Sequence, residues 1–212
     1  MIHVKSEKEI DLMREPCRIV KETLNFVESK IKAGMTTKEL DELVERYIRS
    51  EGAYPSCLGY GGFPASACIS VNEVVVHGIP GDRVLRDGDI VTIDTVAYKN
   101  GYHGDACRTF CIGNVAPEVK QLVKVTEECF FKAIEGLKAG TPLFDIGYRV
   151  QKHAESFGYG VIRSYTGHAI GKEMHEDPSV PNYGKLGTGV RLKAGMVLCI
   201  EPMYALIFCS PP

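Results

Sequence analysis

Two hydrophobic periods alternate along the chain, and each occurs twice. KAGMTTKELDELVERYIRSEG, from Lys32, has apolar positions such as Leu40 and Val44 at helical spacing, a turn before them and the stop glycine Gly52 after. KAGTPLFDIGYRVQKHAESFG, from Lys138, repeats this at an offset of 106, with Ile146, Val150 and Gly158 in the matching places. Both predict amphipathic helices. RDGDIVTID from Arg86 and KAGMVLCIE from Lys193 match at an offset of 107. Each is a basic residue, a turn glycine and an apolar strand ending in a carboxylate, so Asp94 aligns with Glu201. The near-equal offsets predict two related halves, about 1–112 and 113–212, each a helical layer plus strands, packed about an approximate two-fold axis. The predicted fold class is α+β.

The strand of the first half continues into a hairpin, DGDIVTIDTVAYKNGYHGDACRTF, from Asp87 to Phe110. Asn100-Gly101 is a strong signal for a two-residue type I′ turn. With those residues at its centre, Lys99 faces Tyr102 and Asp94 faces Cys107. Alternation then puts Asp94, Asp105 and Cys107 on one face, the two acids being diagonal neighbours roughly 7–8 Å apart at the backbone. Two partly buried carboxylates repel, and each is costly to desolvate. A shared proton, a nearby Arg or Lys, a cation, or a fully wet face would each relieve this. The residues around each Asp do not support an aspartic-protease-like shared proton, and Arg108 alternates to the opposite face.

Further donors follow. SYTGHAIGKEMHEDP holds His168 and His175, and NEVVVHGIP places His77 after the β-branched run Val74–Val76, which reads as an apolar strand. Carboxylates with imidazole suit a divalent ion such as Mn, Fe, Co or Zn. Carboxylates bridging two ions about 3.5–4 Å apart fit metal-assisted hydrolysis.

Composition narrows the setting. At 212 residues, 44% of them hydrophobic, the chain can bury a sizeable core. A net charge of −2 gives no sign of a nucleic-acid binder or a polybasic membrane anchor. The N-terminal MIHVKSEKEIDLMREP has no apolar core of a signal peptide, and no apolar run approaches a membrane span. The eight cysteines are scattered without a CxxC pair, as expected of free thiols in a reducing compartment.

The blocks SACISVNEVVVHGIP, GDIVTIDTVAYKNGYHGD, YTGHAIGKEMHEDP and CIEPM, in that order, resemble the bacterial-type (type I) methionine aminopeptidases. These lie in the larger pita-bread family that includes creatinase and proline aminopeptidase. The resemblance extends from about residue 2 to 203, without the helical insertion of the type II enzymes. It implies a pita-bread fold: two pseudo-symmetric halves with helices on a curved, mostly antiparallel sheet. It implies two divalent ions (Co, Mn, Fe or Zn) on Asp94, Asp105, His168 and Glu201. His77 and His175 match substrate-contacting histidines: His175 steadies the scissile carbonyl and His77 hydrogen-bonds near the amide, while Glu201 doubles as proton carrier. Cys57, Tyr60, Phe63, Cys68 and Met174 resemble the lining of a methionine pocket. The implied substrates are N-terminal methionine peptides and nascent chains, with contact to the ribosome, in a cytoplasmic monomer. Two other readings stand beside it: a non-catalytic pita-bread module that binds peptide ends or a protein partner, and a relative that cleaves before proline or acts as a creatinase-like hydrolase.

One departure carries its own expectation. The resemblance implies a fifth ligand, a glutamate, on a strand past Glu201-Pro202-Met203, but no acid follows Glu201 in EPMYALIFCSPP. The repeat also places a counterpart of Asp105 near residue 212. The second half is therefore expected to lack its final strands, to leave a sheet edge uncovered, to bind one ion better than two, and to show weak activity or none.

Overall fold

Ser6 starts the first helix for a local reason. Its hydroxyl accepts from the Glu9 N–H at 3.4 Å, and Glu9 Oε2 accepts from the Ser6 N–H at 2.8 Å, a capping box that satisfies two otherwise orphaned amides. Helix α1 then runs Glu7–Glu28. Thr36 and Glu39 repeat the device at the start of α2, Thr37–Ser50. The computed structural model describes residues 1–206. They form two compact units, one of Ser6–Ala116 with Ile170–Met174, the other of Met1–Lys5, Pro117–Ala169 and the chain from His175.

In the first unit the sheet consists of β1 (Tyr54–Pro55), β2 (Cys68–Val71), β3 (Ile90–Lys99) and β4 (Tyr102–Cys111). All pairings are antiparallel: β4 lies along one edge of β3, and β2 and β1 lie along the other. The odd-numbered residues Val91, Ile93 and Ala97 of β3 face the helices. There they join Ile19, Leu24, Leu40, Val44 and Ile48 in one core. Each such aliphatic side chain, fully buried, contributes about 1.5–3 kcal/mol. Gly104 of β4 sits against α1 so closely that a Cβ there would lie 2.4 Å from Pro16 C and Cys17 N.

The second unit contains α3 (Pro117–Ile134), with proline at the first helical position where its missing N–H costs nothing, and α4 (Phe144–Ser156). Strands β5 (Tyr159–Val161), β6 (Thr166–Ala169), β7 (Glu176–Pro181), β8 (Leu198–Cys199) and β9 (Tyr204–Leu206) follow. β6 lies between β7 and β8, and β5 pairs with β9, all antiparallel. Val125, Cys129, Leu143, Ile146, Val150, Tyr159 and Val180 form its core. No helix among the described residues is long and apolar enough to cross a membrane.

The same hook precedes the repeated helix in each unit. Gly34 N–H donates to Leu85 O and Leu85 N–H to Met35 O, both at 2.8 Å; Gly140 N–H donates to Leu192 O and Leu192 N–H to Thr141 O, again at 2.8 Å. Gly34 and Gly140 both have φ +92, a left-handed conformation that glycine adopts without penalty.

Three sequence expectations meet differences. The units divide at 116/117 rather than 112/113, and two short segments trade units. Local bonds account for the exchange: Lys5 N–H donates to Gly195 O, and His103 N–H to Gly171 O. The Val74–Val76 run is not a strand. A turn with Asn72 at φ +53 reverses the chain, and Ile69 N–H bonds Gly78 O at 2.8 Å, so the valines lie in a surface loop. The strand expected to end at Glu201 stops at Cys199. The stretch expected to depart from the family pattern, Tyr204 to Cys209, is described only as far as Leu206; the rest lies outside the described residues.

Candidate metal centre

The β3–β4 hairpin sets the first group of donors. Asn100 and Gly101 have φ +56 and +85, as a type I′ turn requires. Lys99 pairs with Tyr102, Asp94 with Cys107 and Val96 with Asp105, and on the other side Asp94 pairs with Cys68. Cys68, Asp94, Val96, Asp105 and Cys107 therefore share the face turned away from the helices, and Asp94 and Asp105 are diagonal neighbours on it. Arg108 points to the helix side, where it donates to Glu28 Oε2 at 2.9 Å and Asn25 Oδ1 at 3.2 Å.

That face runs into an apolar cluster. Cys57, Val96 and Met174 are buried together with Phe63 against them. The Cys57 thiol donates to the Cys68 sulfur, which together with burial and the Asp94 charge pushes the Cys57 thiol up; the same bond holds Cys68 down. Tyr60, in the short turn Tyr60–Gly62, is exposed and outside this buried cluster.

His77 lies in the same unit with φ +58, a region uncommon for residues other than glycine, though His is enriched there. Its conformation is held by its neighbour. Gly78 N–H donates to Ser70 Oγ at 3.1 Å, and a Cβ on Gly78 would sit 2.3 Å from Ile69 O. Backbone strain of this kind costs about 1–3 kcal/mol and clusters at functional positions.

The second unit holds the other donors. His168 is buried in β6, and its Nδ1 lies 2.9 Å from Ala169 O. A carbonyl oxygen only accepts, so Nδ1 carries the hydrogen and Nε2 of the neutral ring presents a lone pair. That nitrogen lies 3.2 Å from Glu201 Oε1, an oxygen that is buried and accepts no hydrogen bond among the described residues. Two lone pairs facing each other in a dry place require a proton or a cation between them. The donor set fits a divalent metal. The His175 ring is 4.3 Å from the His168 ring, centroid to centroid, inclined at 52°. His175 is exposed and immediately precedes β7.

One residue of this group is absent from the sequence reading. Cys199 pairs with His168 across β6 and β8, and its sulfur lies within 4.8 Å of the His168 and Glu201 donor atoms. The signal lay in the spacing, since Cys199 and Glu201 are two apart in the segment the sequence predicts to be a strand. His103 was missed as well. It is on the acid face of β4, burial holds its imidazole below the usual range, and its Nδ1 has no hydrogen-bond partner among the described residues.

Residues 11–208 match the profile of metallopeptidase family M24. The chain is 55% identical over 204 residues to the methionine aminopeptidase of Clostridium acetobutylicum, covering 96% of this chain and 82% of that one. It is 49% identical to methionine aminopeptidase 1 of Bacillus subtilis, with the same coverage of each. The crystal structure of methionine aminopeptidase from Rickettsia prowazekii superposes with a TM-score of 0.94 at 44% identity, over 96% of this chain and 82% of that one.

Proposed function

We propose, from the premise that the chain belongs to metallopeptidase family M24, that it removes the N-terminal methionine from peptides and nascent chains by metal-dependent hydrolysis. The observation that carries this reading is the convergence of donor atoms in β6 and the segment after β8: His168 Nε2 lies 3.2 Å from the buried Glu201 Oε1, which accepts no hydrogen bond among the described residues, and the Cys199 sulfur lies within 4.8 Å of both. Asp94, Asp105, His168 and Glu201 are the proposed ligands, with both halves acting as one catalytic domain. A divalent ion on them, Co, Mn, Fe or Zn, would supply Lewis-acid activation of water and of the substrate carbonyl.

The chain's own groups divide the remaining work. Glu201 takes the proton from the attacking water and returns it to the leaving amine, as an acid beside the reacting water can. His175 donates to the carbonyl oxygen as negative charge develops there, which stabilises the transition state more than the ground state. His77 hydrogen-bonds near the scissile amide and orients it. Cys57, Phe63, Cys68 and Met174, with Tyr60 at the rim, receive the methionine side chain in an apolar, polarizable slot. The proposed setting is the cytoplasm, with the protein a monomer that meets chain ends at the ribosome.

The test is an assay of methionine release from a Met-Gly-type peptide, with Co or Mn added after chelator treatment. Release that depends on the ion, and that exceeds cleavage of Xaa-Pro peptides, is expected. Tight metal binding without any release from either peptide would favour a binding module and overturn the hydrolytic reading.

A further inference from the structure

The N-terminal pentapeptide belongs to the second unit although the helix that follows it belongs to the first. Lys5 holds it there. Its backbone N–H donates to Gly195 O at 2.8 Å, and Gly195 approaches so closely that a Cβ would lie 2.4 Å from Lys5 O. Its ammonium reaches Glu176 Oε2 at 2.6 Å, with the two side chains only 4% and 8% exposed. The α-amino group of Met1 pairs with Asp177 Oδ2 at 2.8 Å, on the next residue along.

Glu176 is the first residue of β7 and pairs with Ala169 of β6. His175 precedes it and His168 precedes Ala169, so both histidines sit one residue before this pairing. The segment between them, Ile170–Met174, belongs to the other unit. His175 is exposed, and its ring packs on that of the buried His168. The His175 backbone leads directly into Glu176, which pairs with Ala169.

We infer that Lys5 is a positioning residue for His175. The buried ion pair anchors Glu176, and Glu176 fixes the backbone from which the His175 imidazole reaches the substrate carbonyl. The inference rests on the reading of His175 given above. Removing the Lys5 ammonium takes a cation from a buried carboxylate, so Glu176 shifts towards water and takes His175 with it. A displacement of about 1 Å at a catalytic group can cost about a hundredfold in rate.

The experiment compares the parent with Lys5→Met, Lys5→Arg and Glu176→Gln. Steady-state kinetics on a Met-Gly-type peptide is combined with calorimetric metal titration and with imidazole NMR of the metal-free protein. For Lys5→Met we expect a loss in kcat on the order of 10- to 100-fold, KM and metal affinity within about twofold, and a shifted His175 ring resonance. Lys5→Arg restores most of the rate. If Lys5→Met does not fold, Lys5→Arg and Glu176→Gln carry the test, and each should move the His175 resonance in step with its loss of kcat. An unmoved His175 resonance, or a rate loss fully matched by loss of folded or metal-loaded protein, overturns the inference. A parent that cleaves nothing sinks the hydrolytic reading instead, and the NMR comparison still decides whether Lys5 positions His175.

Discussion

His168 and Glu201 meet through Nε2 and Oε1 at 3.2 Å while His168 Nδ1 lies 2.9 Å from Ala169 O, so in the neutral ring, with its hydrogen on Nδ1, two lone pairs face each other and call for a cation between them. Converting Glu201 to Gln removes both the charge and the proton acceptor. Glu201→Gln is expected to lower kcat by about 10²–10⁴-fold and to weaken metal binding, as read by peptide cleavage and calorimetry. Unchanged metal affinity would remove Glu201 from the ligand set.

Asp94 and Asp105 lead to a prediction whose sign depends on the ion. Without metal, the two carboxylates on one face repel, so Asp105→Asn should stabilise the metal-free protein by about 0.2–1 kcal/mol. With metal the same change removes a proposed ligand, and the stabilisation that metal confers should shrink. Denaturant unfolding with and without Co would show the reversal.

Cys199 brings a sulfur close to the His168 and Glu201 donor atoms. Sulfur favours softer ions than oxygen does. Cys199→Thr is therefore expected to lower affinity for Zn more than affinity for Mn, measured by competition titration. Equal changes for both ions would show that the sulfur does not coordinate.

Gly104→Ala would place a methyl group 2.4 Å from the α1 backbone at Pro16 and Cys17. Backbone on both sides gives little room to yield, so a loss of about 1–3 kcal/mol is expected, read as a lower midpoint in urea. A loss well below that range would mean α1 can slide on the hairpin.

Glu9 gives a pH dependence with a defined direction. The Ser6 backbone N–H, then the Ser6 hydroxyl and the Tyr102 hydroxyl, lower its carboxyl from 4.5 to about 2. A carboxyl lowered on folding contributes stability that is present above the unfolded value of 4.5 and lost as pH falls through about 2. Glu9→Gln should therefore lower thermal stability at neutral pH and flatten its acid limb between those values, with parent and variant converging as pH falls through about 2.

The hairpin was legible in the sequence because its information is local. Asn100-Gly101 selects one turn, that turn fixes the register, and the register puts Asp94 and Asp105 on one face. The repeat was legible for a similar reason, since Gly34 and Gly140 mark the same hook by the same backbone need. Val74–Val76 misled because β-branched residues favour extended backbone only while a partner strand is available. Asn72 turns the chain back, and on the edge of β2 away from β3 the Ile69 N–H goes to Gly78 O instead.

The sequence by itself determined the two repeated helices with their glycine stops, the hairpin register and the residue types able to hold a metal, because each depends on neighbours a few positions away. Tertiary structure alone decided that Lys5 is buried against Glu176, that the His168 lone pair meets Glu201, and that Cys199 lies beside both. Those contacts join residues 171, 33 and 31 positions apart. Nothing local encodes such distances; they arise when separate strands and the N-terminal segment settle on a common core.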